Sequence, residues 1–497
     1  MPRTRLTTII ATLGPATSDE DAIAAMIEAG ASIFRLNFSH GEPQEHAARL
    51  AAVRRASERC GRPIGVLGDL QGPKIRCARI AGAGAALVAG EEVFLVRGDD
   101  VVDSSRRPLR LGSTYAGLVE EVQPGHRVLL DDGAIRLLAV ERDRDQDGLR
   151  CTVVHGGLLL SRKGINLPDT EIRLPALDER DLDWVEWAIR NDIDFLGLSF
   201  VQGAGDIDDL RRRVAASAAA LGLHGFRMSI VAKIERPKAV ENIEAIAQAA
   251  DAVMIARGDL GVELDLAQVP VIQKRLIKVC RSWGRPTIVA TQMLQGMIES
   301  PIPTRAEASD VANAILEGAD AVMLSGETAI GRYPAIAVET MRRIAQAVEA
   351  WVVEQPLADA APTRLVESGH RTAALAHGVW YIARDNRAKC LVVWSQAGGG
   401  ARYLSQNEFT IPIAAFSSDR RALRQMALLR GVYPVLLDPP PSSLGAWTEH
   451  VDRWLVEHAW ATAGDRVVMI GGSPLGVAGV TNSIALHEVG RRDTGFR

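Results

Sequence analysis

The chain has 497 residues, with 61 acidic against 57 basic side chains and a net charge of −4. That balance supplies no global basic field for nucleic acid, so anionic ligands must be held by local Arg and Lys. The five scattered cysteines show no metal spacing and fit a reduced, cytoplasmic setting. No apolar run is long enough to span a membrane, and Met1 to Leu6 lead into the first apolar run without a signal-like core.

Eight short apolar runs begin near Ile9, Ile33, Ile64, Phe195, Ile230, Val253, Ile288 and Val322. Helical patterns separate them, which predicts parallel strands covered by crossover helices. Eight such units predict a (β/α)₈ barrel, with its chemistry at the carboxyl ends of the strands. About 100 residues are inserted after the third run, enough for a small domain. Within them Val93–Val96, Arg127–Leu130, Ile135–Leu138 and Leu149–Val154 read as strands, with turn signals at Asp132-Gly133 and Asp147-Gly148. A small β-barrel lid is expected there. Pro356, Asp359 and Pro362 mark a linker. Beyond it helices alternate with Cys390–Trp394, Ile411–Phe416, Tyr433–Leu437 and Val467–Ile470, an open α/β pattern. The expected domains are a barrel of 1–72 and 172–350, a lid of 73–171 and a carboxy-terminal α/β domain of 351–497.

Polar clusters close the strands. Lys233 and Glu235, two apart, share a face at the end of the fifth strand. Pro237 suits the first turn of a helix carrying Val240, Ile243, Ala247 and Ala250. Asp259, between Gly258 and Gly261 in an exposed turn, brings a second carboxylate, and such a pair suits Mg²⁺ completed by substrate oxygens. Arg35, Asn37 and Ser39 share a face by period two, beside His40; an Arg there offers a fork for phosphate. Asp69 ends the third strand, Arg76 follows Lys74 at the entrance to the insertion, and Thr291 ends the seventh strand. Ser325, Glu327 and Thr328 end the eighth, where a phosphate or hydroxyl relay would be in reach. Thr304 and Glu307 have capping-box spacing, so Glu307 reads as a cap.

Nine motifs in order resemble pyruvate kinase, most closely its bacterial type II branch. They are Ile10–Pro15, Arg35–Gly41, Gly68–Arg76, Lys163–Pro168, Ala232–Glu235, Ala256–Gly261, Ala290–Leu294, Ala308–Asn313 and Met323–Thr328. The resemblance implies transfer of phosphoryl from phosphoenolpyruvate to ADP, giving pyruvate and ATP. It implies that Glu235 and Asp259 hold Mg²⁺, that Lys233 stabilises the phosphoryl group, and that Arg35, Gly258 and Thr291 contact the substrate, with Thr291 near the enolate carbon. Arg76 and Lys163, with Asn37 to His40, would serve the nucleotide. Asn37, Ser39 and Asp69 match the family's monovalent-cation pocket. Lys74 stands where potassium-dependent relatives carry an acid, so K⁺ is not expected to be required.

The resemblance also implies a homotetramer and leaves room for a sugar-phosphate or AMP effector. Effector-responsive relatives carry a hydroxyl-rich loop where this chain has Ser395-Gln-Ala-Gly-Gly-Gly-Ala401. The glycines Gly398 to Gly400 offer only backbone N–H groups, with Arg402 beside them. Two other classes stand against the kinase: a Mg²⁺-dependent lyase or aldolase stabilising an enolate, and a metabolite sensor without catalysis. The lyase would leave Lys233, Arg76 and the lid without a task.

Overall fold

The computed structural model describes residues 5–143, 147–355 and 362–496. Eight parallel strands close into a barrel: Thr8–Thr12, Ile33–Asn37, Gly65–Asp69, Phe195–Leu198, Ser229–Ile234, Ala252–Ala256, Thr287–Ala290 and Ala321–Leu324. The first strand pairs with both the second and the eighth, so no edge is left open. Each strand is short and apolar because both faces are covered, the outer face by helices and the inner by its neighbours. The expected helix after Pro237 is two short ones, Pro237–Glu241 and Ile243–Ala249, broken at Asn242.

The insertion is largely β. Ile165–Asn166, Arg127–Leu130, Ile135–Asp143, Gly148–His155, Glu92–Val96 and Leu109–Leu111 pair in that order, and Gly157–Leu159 pairs with Ala85–Leu87. The segment Ile75–Ala78 bridges the two outer strands, Arg76 pairing with Gly164 and Cys77 with Ser113, which brings the ladder round into the small barrel expected. The two- and three-residue strands escaped the sequence pattern because they are shorter than one clear alternation. Asp132 and Gly133, both at positive φ, turn the chain between Leu130 and Ile135.

Pro356 and Asp359 of the expected linker lie outside the described residues. The carboxy-terminal sheet runs Val432–Leu436, Ile413–Ser417, Leu391–Trp394, Arg466–Gly471 and Ser483–Glu488, the last antiparallel and not foreseen. This sheet's neighbouring helix Arg420–Met426 docks under the barrel. Ala427 and Leu428 join Ile10, Ile33, Leu67 and Val231 in the barrel's inner core. Arg424 Nε pairs with Asp194 Oδ1 at 2.7 Å, and Arg421 pairs with Asp192. The amino-terminal end of the barrel is thereby sealed, which leaves the carboxyl end as the open mouth. Among the described residues no helix is long and apolar enough to cross a membrane.

Candidate active site

Strand alternation builds the site directly. Ile10, Ile33, Leu67 and Val231 point inward and form an apolar layer. Two residues further on, the same inward direction belongs to Thr12, Arg35, Asp69 and Lys233. Arg35 Nε donates to Asp69 Oδ2 at 2.6 Å, and its Nη1 reaches Thr12 Oγ1 at 3.4 Å. Lys233 Nζ pairs with Asp69 Oδ1 at 3.2 Å and Glu235 Oε1 at 2.9 Å, and donates to Ser199 Oγ at 2.7 Å. Ser199 Oγ in turn donates to Leu70 O, and Glu235 Oε2 accepts the Phe200 N–H at 2.8 Å. A Cβ on Gly197 would stand 2.9 Å from Asp69 Oδ1, so the glycine makes room for that carboxylate.

The charges hold one another. Burial alone would push the Asp69 carboxyl up, but Lys233 and Arg35 outweigh it and hold the group below its ordinary range. Burial would likewise strip Lys233 of its proton; Asp69 and Glu235 reverse the effect and keep the ammonium charged. A permanent cation therefore stands at the mouth of the barrel.

Asp259 sits in the first turn of the helix Arg257–Glu263 and is partly buried, not in the exposed turn expected from its glycines. Burial, then the charge of Glu235, raise its carboxyl to about 6, while Lys233 and Lys74 pull it back. Glu235 and Asp259 are thus two mutually repelling carboxylates, the donor set that a hard divalent cation relieves. Among the described residues no three His, Cys, Asp or Glu side chains gather to cage a metal alone. Further oxygens would have to come from substrate and water.

Thr291 is held at φ +72°, costly for a β-branched residue and found where a fold over-determines it. Its Oγ1 accepts the Gly258 N–H at 2.7 Å and donates to Ala290 O, while its carbonyl accepts from Arg257 Nη2 at 2.9 Å. Arg257 is fixed by Asp310 through two bonds of 2.6 and 2.7 Å. Thr12, Ser199, Arg257 and Asp310 join the site although no role was expected of them from the sequence. Arg257 and Asp310 lie within Ala256–Gly261 and Ala308–Asn313, but their pairing spans 53 residues and leaves no local signal.

The remaining candidates lie at the rim. Asn37 Oδ1 accepts the Ser39 N–H at 3.2 Å, so the period-two face ends at Asn37 and Ser39 belongs to a turn. His40 is exposed, and its carbonyl accepts from His46 Nε2. Arg76 Nη1 donates to Arg162 O at 3.2 Å, and Lys163 Nζ pairs with Asp131 at 2.8 Å. None of these side chains bonds to the Asp69–Lys233–Glu235 cluster among the described residues. Glu327 and Thr328 are fully buried, which corrects the expected relay. Glu327 accepts the N–H groups of Leu294 and Ser325, and Thr328 exchanges hydrogen bonds with the Thr12 backbone. They tie strand ends together. Glu307 caps its helix as expected, its Oε2 accepting the Thr304 N–H at 2.7 Å.

A sealed parallel barrel with a permanent cation, paired carboxylates and a strained threonine at its open mouth defines a (β/α)₈-barrel enzyme. The model of the pyruvate kinase barrel domain matches residues 4–338, and that of the pyruvate kinase alpha/beta domain matches 373–487. A pyruvate kinase of Mycobacterium intracellulare is 41% identical over 98% of both chains. One from Corynebacterium glutamicum is 39% identical over 98% of both. The crystal structure of a pyruvate kinase from Cryptosporidium parvum aligns with a TM-score of 0.88 at 30% identity, covering 98% of this chain and 96% of that one. The chain belongs to the pyruvate kinase family.

Proposed function

We infer that this chain is a phosphotransferase that moves phosphoryl from phosphoenolpyruvate to ADP, giving pyruvate and ATP. The observation that carries the reading is Lys233, kept charged between Asp69 and Glu235 at the barrel mouth. Phosphoryl transfer asks for positioning and charge stabilisation more than for covalent catalysis. The bond from phosphorus to the enol oxygen breaks and a bond to an ADP phosphate oxygen forms. Lys233 and Arg35 face the anionic charge that the transferred group spreads over its oxygens. Mg²⁺ held by Glu235 and Asp259 would add positive charge beside the same oxygens. The enolate left behind takes a proton at its methylene carbon, and Thr291 with the Gly258 backbone orients that end of the substrate. Arg76, Lys163, Asn37 and His40, on the rim and the neck of the insertion, serve the nucleotide.

Potassium is not required on this reading. Both oxygens of Asp69 face cations of the chain itself, Arg35 and Lys233, which removes the negative charge a monovalent ion would need. Lys74 supports this, because it puts a fixed ammonium where potassium-dependent relatives carry an acid. The five cysteines stand as free thiols, which supports a cytoplasmic setting, and a homotetramer is the assembly that the family resemblance implies. The proposed effector is a sugar phosphate or AMP at the Gly398–Gly400 loop. A cavity of about 210 Å³ there is lined by Ala397, Gly398 and Arg402, and the Arg402 Nε is buried without a partner among the described residues.

A coupled pyruvate assay with and without ADP tests the function. The kinase makes pyruvate only with ADP, an enolate-forming lyase needs none, and a sensor makes none in either case.

A further inference from the structure

Asn166 lies on the short strand Ile165–Asn166 by which the insertion returns to the barrel. Its Nδ2 donates to Glu263 Oε1 at 2.8 Å, across 97 residues of chain. Glu263 is four residues beyond Asp259 on the helix Arg257–Glu263, so the two carboxylates share a helix face. The Glu263 side chain is buried, at 4% exposure, and makes no ion pair among the described residues; Asn166 supplies its one hydrogen bond there. The Arg236 guanidinium offsets part of the Glu263 charge from outside hydrogen-bond contact, leaning over the Phe200 ring at 4.8 Å with its Nε unpartnered among the described residues. The Asp132-Gly133 turn of the insertion stands against the same helix, since a Cβ on Gly133 would lie 3.7 Å from Val262 Cγ1.

We propose that Asn166 and Glu263 are positioning residues that latch the inserted domain onto the helix bearing Gly258 and Asp259. With the insertion down, the amide satisfies a buried carboxylate. With it lifted, that carboxylate is left without its donor, and an unsatisfied buried charge is costly. Closure of the insertion and placement of the Asp259 helix are thereby one event. The catalytic effect of the latch rests on the reading of that helix as part of the active site, although the contact itself does not.

The test combines Asn166→Ala, Glu263→Ala, the double variant and Glu263→Gln, which keeps an oxygen to accept from Asn166. Hydrogen–deuterium exchange of the peptide around Asp131–Ala134 reads the insertion without any turnover. Steady-state kinetics with ADP and phosphoenolpyruvate read the site. Each alanine variant should speed exchange there and lower kcat/KM for ADP about tenfold, the scale of a lost bond to a charged group. The double variant should be no worse than either single one, and Glu263→Gln should stay within about threefold of the parent. Losses that multiply to about a hundredfold in the double variant would overturn the latch, as would unchanged exchange in Asn166→Ala. If Glu263→Ala fails to fold, Asn166→Ala against Glu263→Gln decides alone. A parent protein with no ADP-dependent pyruvate formation would sink the kinase reading, while accelerated exchange in the variants would still uphold the latch.

Discussion

Replacing Lys233 by alanine should strike both stability and turnover, and the structure gives the size of each effect. Lys233 pairs with both Asp69 and Glu235 while Arg35 shares Asp69 with it, and the Lys233 side chain is only 12% exposed. Removing one partner of a buried pair costs about 3–5 kcal/mol, because a charge is left uncompensated. The position is therefore not a silent one for folding, as its place on an open barrel mouth would suggest. Its catalytic share is that of one preorganised charge stabiliser, on the order of 10²–10³ in rate. A third consequence follows from Asp259, whose carboxyl at about 6 is pulled down by Lys233 and Lys74. Without Lys233 it moves further up, and more Mg²⁺ is needed at neutral pH. The measurement is pyruvate formation in a coupled assay at a temperature well below unfolding, across a Mg²⁺ series, beside a thermal melt. A folded Lys233→Ala protein whose kcat stays within threefold of the parent would refute the role. A melt unchanged by the substitution would refute the charge network instead.

Three more outcomes are expected. Asp259→Asn should raise the Mg²⁺ concentration for half-activity, one of two anionic ligands being gone; an unchanged Mg²⁺ curve with lower activity would move Asp259 away from the metal. Asp181, whose Oδ1 accepts the N–H groups of Gln71 and Gly72 at the entrance to the insertion, is raised by burial from 3.8 to about 6. Its folded form favours the proton, so that stabilisation, about 3 kcal/mol, is complete below pH 3.8 and lost as pH rises through about 6. The melting-temperature advantage of the parent over Asp181→Asn should shrink across that window, and a gap constant from pH 4 to 8 would contradict it. Fructose 1,6-bisphosphate should activate weakly, because Gly398–Gly400 carry no charged donors, worth about 1.5–3 kcal/mol each, and Arg402 beside them can answer one phosphate but not two; a strong left-shift of the phosphoenolpyruvate curve at micromolar bisphosphate would refute this.

The barrel was legible because its signal is local. Each apolar run is one strand, and the polar clusters that close the runs mark Arg35, Asp69 and Lys233; the structure adds that each lies two positions past an inward apolar residue and so points into the same mouth. That rule fails as soon as the strand ends. Ser39 lies past Asn37 and turns away, and Asp259 enters a helix where its flanking glycines suggested a turn. Glu327 and Thr328 carry the same kinds of oxygen as the functional residues, and only burial tells them apart. A sequence records which groups a strand end offers, but not whether backbone amides have already claimed them.

The same limit explains why the partners of the site stayed hidden. Asp310 holds Arg257 from 53 residues away, Ser199 meets Lys233 across 34, and Asn166 reaches Glu263 across 97. No periodicity links such positions, since each pair is joined by the closing of the barrel or the return of the insertion. Their effect is nevertheless felt at the central groups. Asp69 keeps its charge only because Arg35 and Lys233 flank it, and Lys233 keeps its proton because Asp69 and Glu235 answer it. A carboxylate and an ammonium that would each be neutral if buried alone are ionised together. The permanent cation that phosphoryl transfer needs is thus a property of the closed barrel, since Asp69 and Glu235, brought to Lys233 by different strand ends, together offset its burial.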